Sequence, residues 1–429
     1  MLSYIIEGGN KLSGTTYVSG SKNASLPILA ASILNSKTTL YNVPEIHDTE
    51  TTIKILKILG CKIKKQKNKI TIDNTKINEV QIPDKLMREL RSSVILAGAL
   101  ITRFKKVVFS YPGGCDIGAR PIDLHLSGFR KLGINVTEEA GYIKCIADKI
   151  IGADINLDFP SVGATENIML ASVMAEGETT INNAALEPEI VDLQKFLNKM
   201  GAKIQGAGTS IIKIKGVPKL KESSYNIMSD RIEAGTLLVA TAITGGNIIL
   251  KNACSDHIIP VIHKLEEMGC KIDVKRDIIE LSAPKKLKAI DIKTMPYPGF
   301  PTDMQSVMGA ICVVAKGTSV IIENIFENRY KYTNELKRMG AKITIEGKTA
   351  IIKGTKKLTG AEVHATDLRG GAALVLAGLV AKGTTRVNNI EYILRGYEDL
   401  GGKLNMLGAK ITKVGEICEK TQSQKTKRR

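Results

Sequence analysis

The sequence predicts an α/β protein made of six copies of one unit of about 70 residues, grouped three and three into two domains. Three observations carry this: a helix-ending signature that recurs six times, a nearly all-apolar helix upstream of each copy, and short β-branched segments between and after them.

The signature reads ILKILGCKI, FRKLGINV, FLNKMGAKI, KLEEMGCKI, ELKRMGAKI and KLNMLGAKI, centred on Gly60, Gly133, Gly201, Gly269, Gly340 and Gly408 at spacings of 73, 68, 68, 71 and 68 residues. Apolar residues at helical spacing, closed by Gly, form a helix C-terminus, because Gly enters the left-handed region without a Cβ penalty. The alternation that follows, as in Lys342–Ile343–Thr344–Ile345, reads as a strand, and Glu346–Gly347 as a turn into a second strand, Ala350–Ile351–Ile352. Upstream, LPILAASIL, SVILAGALI, NIMLASVMA, TLLVATAIT, VMGAICVVA and AALVLAGLV are apolar nearly all round, which places them in a core. TTLYNV, KVVFSY, ETTINNA, NIILKNA, TSVIIEN and TTRVNNI follow them as strands. Each unit is therefore helix, strand, helix, strand, strand. Residues 1–20 have no core helix before them and are expected to complete a C-terminal unit. The expected domains are a discontinuous one, 1–20 with 230–429, ending in a basic tail at 420–429, and a second one at 21–229.

Composition narrows the function classes. Of 429 residues, 43% are hydrophobic and 24% charged, an ordinary globular profile; aromatics are 4% with no Trp, so the core is aliphatic. Seven dispersed cysteines without a CxxC pair, and five scattered histidines, give no metal-site spacing and fit a reduced, cytoplasmic protein. The N-terminus lacks the charged and apolar regions of a secretion signal, and no apolar run approaches the roughly 18 residues of a membrane span. Net charge is +18, with five positive charges in the last ten residues; the remaining excess suits an anionic partner. Few aromatics and no recognition motif argue against a nucleic-acid-binding role, which stays as one alternative.

Several residues stand out. Cys115 lies in PGGCDIGARP, where Gly113, Gly114 and Gly118 let the backbone reshape and Arg120 favours a thiolate; alone, it also reads as an incidental thiol. Lys22 and Asn23 open a core helix in SGSKNA, where Ser21 or Asn23 also reads as an N-cap. Asp303, in FPTDMQ, reads with Thr302 as a cap for the next helix. Arg91, Arg120, Arg329, Arg369 and Arg395 fall in different repeats, mostly where strands lead into helices, and a pseudo-symmetric fold can aim such loops at one cleft.

Nine local motifs, in order, cover the chain to about residue 412: SGSKNASLP, MRELRSSV, YPGGCDIGARPIDLH, FPSVGATENIM, SDRIEAGT, GFPTDMQ, FENR, ATDLRGGAAL and RGYEDL. Together they resemble the enolpyruvyl transferases, in the branch that uses UDP-N-acetylglucosamine rather than shikimate 3-phosphate. The resemblance implies an α/β fold of two inside-out barrels, or prisms. It implies transfer of the enolpyruvyl group of phosphoenolpyruvate to the 3-hydroxyl of UDP-N-acetylglucosamine with release of phosphate, the first committed step of peptidoglycan synthesis. No metal or other cofactor is implied, nor membrane insertion, and no oligomeric state. By the same resemblance Cys115 protonates the methylene carbon and is the target of fosfomycin. Asp303 takes the sugar proton. Lys22 binds the phosphate or the carboxylate of phosphoenolpyruvate, Asn23 supports it, and Arg120 and Arg395 lie on the phosphate side. Arg329 and Arg369 serve the same substrate-binding cleft, Arg329 near the carboxylate, and Arg91 lies near the nucleotide sugar. Arg120, Pro121, Ile122, Asp123 and Leu124 recognise the uridine diphosphate, Ser161, Val162 and Gly163 close over the uridine, and the Ile325 backbone meets the N-acetylglucosamine. Asp116, Phe159 and His47 depart from the family pattern. A shikimate 3-phosphate transferase and a second, regulatory copy of the enzyme are the same-fold alternatives.

Overall fold

The computed structural model describes residues 2–113, 117–118 and 121–415. Cys115, Asp116, Arg120 and the tail 420–429 therefore lie outside the described residues.

The six signature glycines all adopt positive φ, from +79° to +105°. Each follows a helix whose last turn closes with the same backbone bond: Cys61 N–H to Leu56 O, Ile134 to Phe129, Ala202 to Leu197, Cys270 to Leu265, Ala341 to Leu336 and Ala409 to Leu404, at 2.9–3.1 Å. This six-to-one bond satisfies an orphan carbonyl at the helix end and turns the chain into the following strand.

The chain is mixed α/β, with six sheets among the described residues, five of four strands and one of three. In the third unit the order is Lys203–Gln205, Ile211–Lys215, Glu178–Asn182, Asp154–Asn156: an antiparallel hairpin, the strand after the core helix, then a short strand from before that helix, paired parallel. The short strands Asp154–Asn156, Ser223–Asn226, Asp291–Lys293 and Glu362–His364 escaped the sequence reading. With three or four residues each, they offer too little alternation to register as a pattern.

Two hydrophobic clusters form. One gathers Leu2–Val18 with Ile232–Ile411, the other Ala24–Ile227. At the centre of the first pack the helices Arg231–Thr244, Gln305–Cys312 and Leu368–Val380; in the second, Lys22–Ala31, Leu96–Phe104 and Val162–Ser172. Two of these helices approach backbone to backbone. A Cβ on Gly98 would sit 2.4 Å from the Asn167 carbonyl oxygen. The Asn167 side chain accepts from Gly98 N at 2.7 Å and donates to Val94 O at 3.0 Å.

The N-terminal strand Ser3–Glu7 lies between Thr384–Asn388 and Lys410–Val414, antiparallel to both, and so closes the last sheet. Ser13–Tyr17 pairs parallel with Asn247–Lys251, whereas Ser223–Asn226 pairs parallel with Lys37–Tyr41. The chain thus passes between the clusters at residues 18–21 and 227–230. These two segments run antiparallel, with Ser21 N donating to Met228 O at 2.8 Å and Asp230 N to Ser19 O at 2.9 Å. Among the described residues no helix is long and apolar enough to cross a membrane.

Candidate active site

The two crossings place helix N-termini from both clusters side by side. Lys22 is the first residue of Lys22–Ala31, capped by Ser21, whose hydroxyl accepts from Ala24 N at 3.2 Å. The Lys22 N–H donates to Asp230 Oδ2 at 2.9 Å, while Asp230 Oδ1 caps Arg231–Thr244 by accepting from Ile232 N at 2.8 Å and Glu233 N at 2.9 Å. One carboxylate therefore serves two helix starts, where the partial positive charge of the backbone favours it. Asn23, next in the helix, is half-buried.

The Lys22 ammonium lies 3.1 Å from Asp48 Oδ2, and Arg395 Nε donates to Asp48 Oδ1 at 3.0 Å. Asp48 stands in the first turn of His47–Ile58 and is buried. Burial would raise its pKa, but Lys22 and Arg395 outweigh burial and hold the carboxyl below its ordinary range.

Asp303 is gripped in the same manner. Arg329 Nη2 donates to Oδ1 at 2.8 Å and Arg369 Nη2 to Oδ2 at 3.1 Å. Both arginines are buried, Arg329 at 2% exposure. The Arg369 guanidinium also stacks over Tyr397, 5.0 Å from the ring centre, and Arg329 lies 5.5 Å from the ring of Phe326. Burial opposes ionisation of Asp303, yet Arg369 and Arg329, with Lys22, hold its carboxyl well below the usual range. The capping expected of Thr302 and Asp303 does not occur. The turn Thr302–Met304 and the helix Gln305–Cys312 start without a side-chain cap, and the Thr302 hydroxyl donates to Glu323 Oε2 at 2.9 Å. Two arginines are stronger partners for the Asp303 carboxylate than backbone amides. Glu323 in turn accepts from Ile325 N at 2.8 Å and Phe326 N at 3.2 Å, which fixes the backbone around Ile325.

A second region adjoins. Arg91, Pro121, Ile122 and Asp123 line a pocket of about 300 Å³ with Tyr111, Pro112, Leu126, Arg130 and Glu138; Leu124 is half-buried beside it in sequence. Ser161, Val162 and Gly163 do not line that pocket. Ser161 caps Val162–Ser172, accepting from Ala164 N at 3.3 Å, and a Cβ on Gly163 would be 3.2 Å from His125 Cε1. His125 joins the two segments, its Nδ1 lying 2.9 Å from Asn167 Nδ2. Burial first, and the charge of Arg91 second, push the His125 pKa down to about 4, so the ring is neutral and Nδ1 accepts.

The described flank of the cysteine loop reaches the Asp303 side. Ile117 O accepts from Asn328 N at 3.0 Å, and Gly118 lies against Glu327, next to Arg329. Phe159 is exposed at 48%, and His47 is exposed.

The structure thus gathers Lys22 and Arg395 on Asp48 and Arg329 and Arg369 on Asp303, and brings Arg91 with residues 121–123 to a neighbouring pocket. Sequence reasoning missed Asp48, Asp230 and Glu323. A signal for Asp48 existed: it lies four residues before Thr52 and eight before Leu56, on the buried stripe of its helix, where an acidic residue needs a reason.

An α/β chain that sets cations from two three-helix cores around paired carboxylates carries the charge pattern of a site for an anionic ligand. The model of the EPSP synthase (3-phosphoshikimate 1-carboxyvinyltransferase) family matches residues 6–404, and the chain belongs to this family. It is 51% identical over 416 residues to the UDP-N-acetylglucosamine 1-carboxyvinyltransferase 2 of Caldanaerobacter subterraneus subsp. tengcongensis, covering 96% of this chain and 100% of that one. It is 52% identical over 411 residues to the protein numbered 1 of the same organism, covering 95% and 98%. It is 49% identical over 419 residues to the UDP-N-acetylglucosamine 1-carboxyvinyltransferase 2 of Carboxydothermus hydrogenoformans, covering 97% and 100%. Among solved structures, the enolpyruvyl transferase NikO from Streptomyces tendae shares the fold with a TM-score of 0.87 at 24% identity, covering 96% of this chain and 98% of that one. EPSP synthase from Acinetobacter baumannii does so at 0.76 and 20%, covering 97% and 100%.

Proposed function

We propose that this chain transfers the enolpyruvyl group of phosphoenolpyruvate to the 3-hydroxyl of UDP-N-acetylglucosamine, releasing phosphate, as the first committed step of peptidoglycan synthesis in the cytoplasm. The observation that carries this reading is full-length identity near one half to proteins of that name, joined to a set of four cations held by two carboxylates.

The roles follow from charge and reach. Lys22 and Arg395, with Asn23 and Arg120, take the phosphate, and Arg329 and Arg369 take the carboxylate, because guanidinium forks match both groups. Arg91, Pro121, Ile122, Asp123, Leu124 and Ser161–Gly163 hold the nucleotide, and the Ile325 backbone meets the acetamido sugar. Asp303 removes the proton of the 3-hydroxyl as its oxygen bonds to C2, while the C2=C3 electron pair takes a proton from Cys115 at C3. The resulting tetrahedral ketal then loses a C3 proton, the double bond reforms, and the C2–O bond to phosphate breaks. As long as two arginines grip it, Asp303 is a weak base. When the substrate carboxylate draws Arg329 and Arg369 toward itself, the basicity of Asp303 rises at the moment it is needed. The cations meanwhile stabilise negative charge as it moves to the leaving phosphate.

We read the two hydrophobic clusters as two three-repeat domains, 1–20 with 230–429 and 21–229, that close on the substrates and exclude water. Substrate exchange tests the function. The full chain is expected to release phosphate from phosphoenolpyruvate with UDP-N-acetylglucosamine and not with shikimate 3-phosphate; the reverse preference overturns the reading.

A further inference from the structure

We infer that Asp48 is a positioning residue, the shared counter-charge that aligns the two phosphate-side cations across the halves of the molecule. This rests on the proposed transfer reaction and adds to it a residue with no direct chemical role.

The geometry is specific. The buried Asp48 carboxylate gives one oxygen to Lys22 at 3.1 Å and the other to Arg395 at 3.0 Å. Lys22 and Asp48 belong to the half that contains the cluster Ala24–Ile227, and Arg395 to the half built on Ile232–Ile411. The same short stretch of chain is tied a second time, since Glu398 Oε1 accepts from Glu45 N at 2.8 Å and its other oxygen accepts from Ser19 Oγ. Segment 395–398 is thus docked on segment 45–48. Without the carboxylate two cations of like charge would face each other in a partly buried space. Among the described residues, by contrast, the two arginines on Asp303 both come from its own half.

The consequence is a split between affinity and rate. Removing the charge of Asp48 leaves a more positive but misaligned cradle. Anions then bind as well or better, while the chemical step, which needs the phosphate in one orientation, slows.

The test compares wild type, Asp48→Asn and Asp48→Glu. Steady-state turnover is measured with phosphoenolpyruvate and UDP-N-acetylglucosamine, and binding of inorganic phosphate by calorimetry on the ligand-free full chain. In Asp48→Asn, kcat is expected to fall by about tenfold or more, KM for phosphoenolpyruvate not to rise, and phosphate to bind about threefold tighter. Asp48→Glu, which keeps the charge, is expected to return phosphate affinity to within about twofold of wild type. If Asp48→Asn does not fold, Asp48→Ser is read in the same way. Wild-type kcat in a neutral variant, or a lower kcat with weaker phosphate binding, overturns the inference, because a scaffold defect weakens both together. Phosphate binding needs no turnover. A wild-type chain inactive with both substrates would refute the proposed function alone, while the shift in phosphate affinity would still report on Asp48.

Discussion

Arg329 Nη2 lies 2.8 Å from one oxygen of Asp303, and the other oxygen belongs to Arg369 at 3.1 Å. The carboxyl is consequently ionised far into acid, held down by both guanidiniums against the cost of burial. In the wild-type protein Asp303 therefore contributes no acidic limb to kcat/KM above about pH 5. Arg329→Gln removes one partner, raises the Asp303 pKa toward the ordinary carboxylate range and shifts that limb to higher pH, with a lower plateau. The pH profile of phosphate release by the two proteins checks this, and an unmoved limb counts against Asp303 as the base.

His125 makes stability depend on pH in a separate window. Its pKa is pushed down to about 4 in the folded chain, against about 6.5 when unfolded. The unfolded chain therefore takes up the proton first as pH falls. Stability that is full above about pH 6.5 is lost progressively down to about pH 4, by a total of about 3 kcal/mol. Asp48 and Asp303 carry depressed pKa values, so their contributions are lost only at more acidic pH. Urea unfolding of wild type and His125→Gln between about pH 7 and 4.5 is expected to show a flatter dependence in the variant.

Arg231 and Glu189 form a buried ion pair between the halves, Nε to Oε1 at 2.9 Å. Arg231→Met strands the Glu189 charge and is expected to cost about 3–5 kcal/mol, whereas the double variant Arg231→Met with Glu189→Leu recovers most of it. Denaturant midpoints of the single and double variants measure the difference.

Gly98 faces the Asn167 carbonyl so closely that a Cβ would stand at 2.4 Å. Gly98→Ala must separate two core helices and is expected to cost about 1–3 kcal/mol despite the better helix propensity of Ala. Thermal unfolding reads the effect directly.

Much of the architecture was legible because it is repeated and local. A Gly after an amphipathic helix has one economical use, and Gly60 through Gly408 all serve it. The apolar helices were legible because they have no polar face to misread. The arginines and Lys22 stood out only through the resemblance, because each alone reads as an ordinary surface charge; their convergence on Asp48 and Asp303 is visible only in the fold. Asp48 was not legible, because an acidic residue in a helix's first turn already has a good local explanation in the helix dipole. What makes it different is Arg395, 347 residues away. Thr302 failed as a cap for the same reason in reverse: its distant partner, Glu323, outcompetes the local one.

Phosphate release by the full chain, followed together with the enolpyruvyl sugar product, tests most directly whether this cationic cradle performs the transfer. Release that needs phosphoenolpyruvate and UDP-N-acetylglucosamine together, matches product one for one, and is lost with Cys115→Ala or after fosfomycin treatment is the expected result. Release that proceeds without the sugar nucleotide, or that survives loss of Cys115 undiminished, would contradict it.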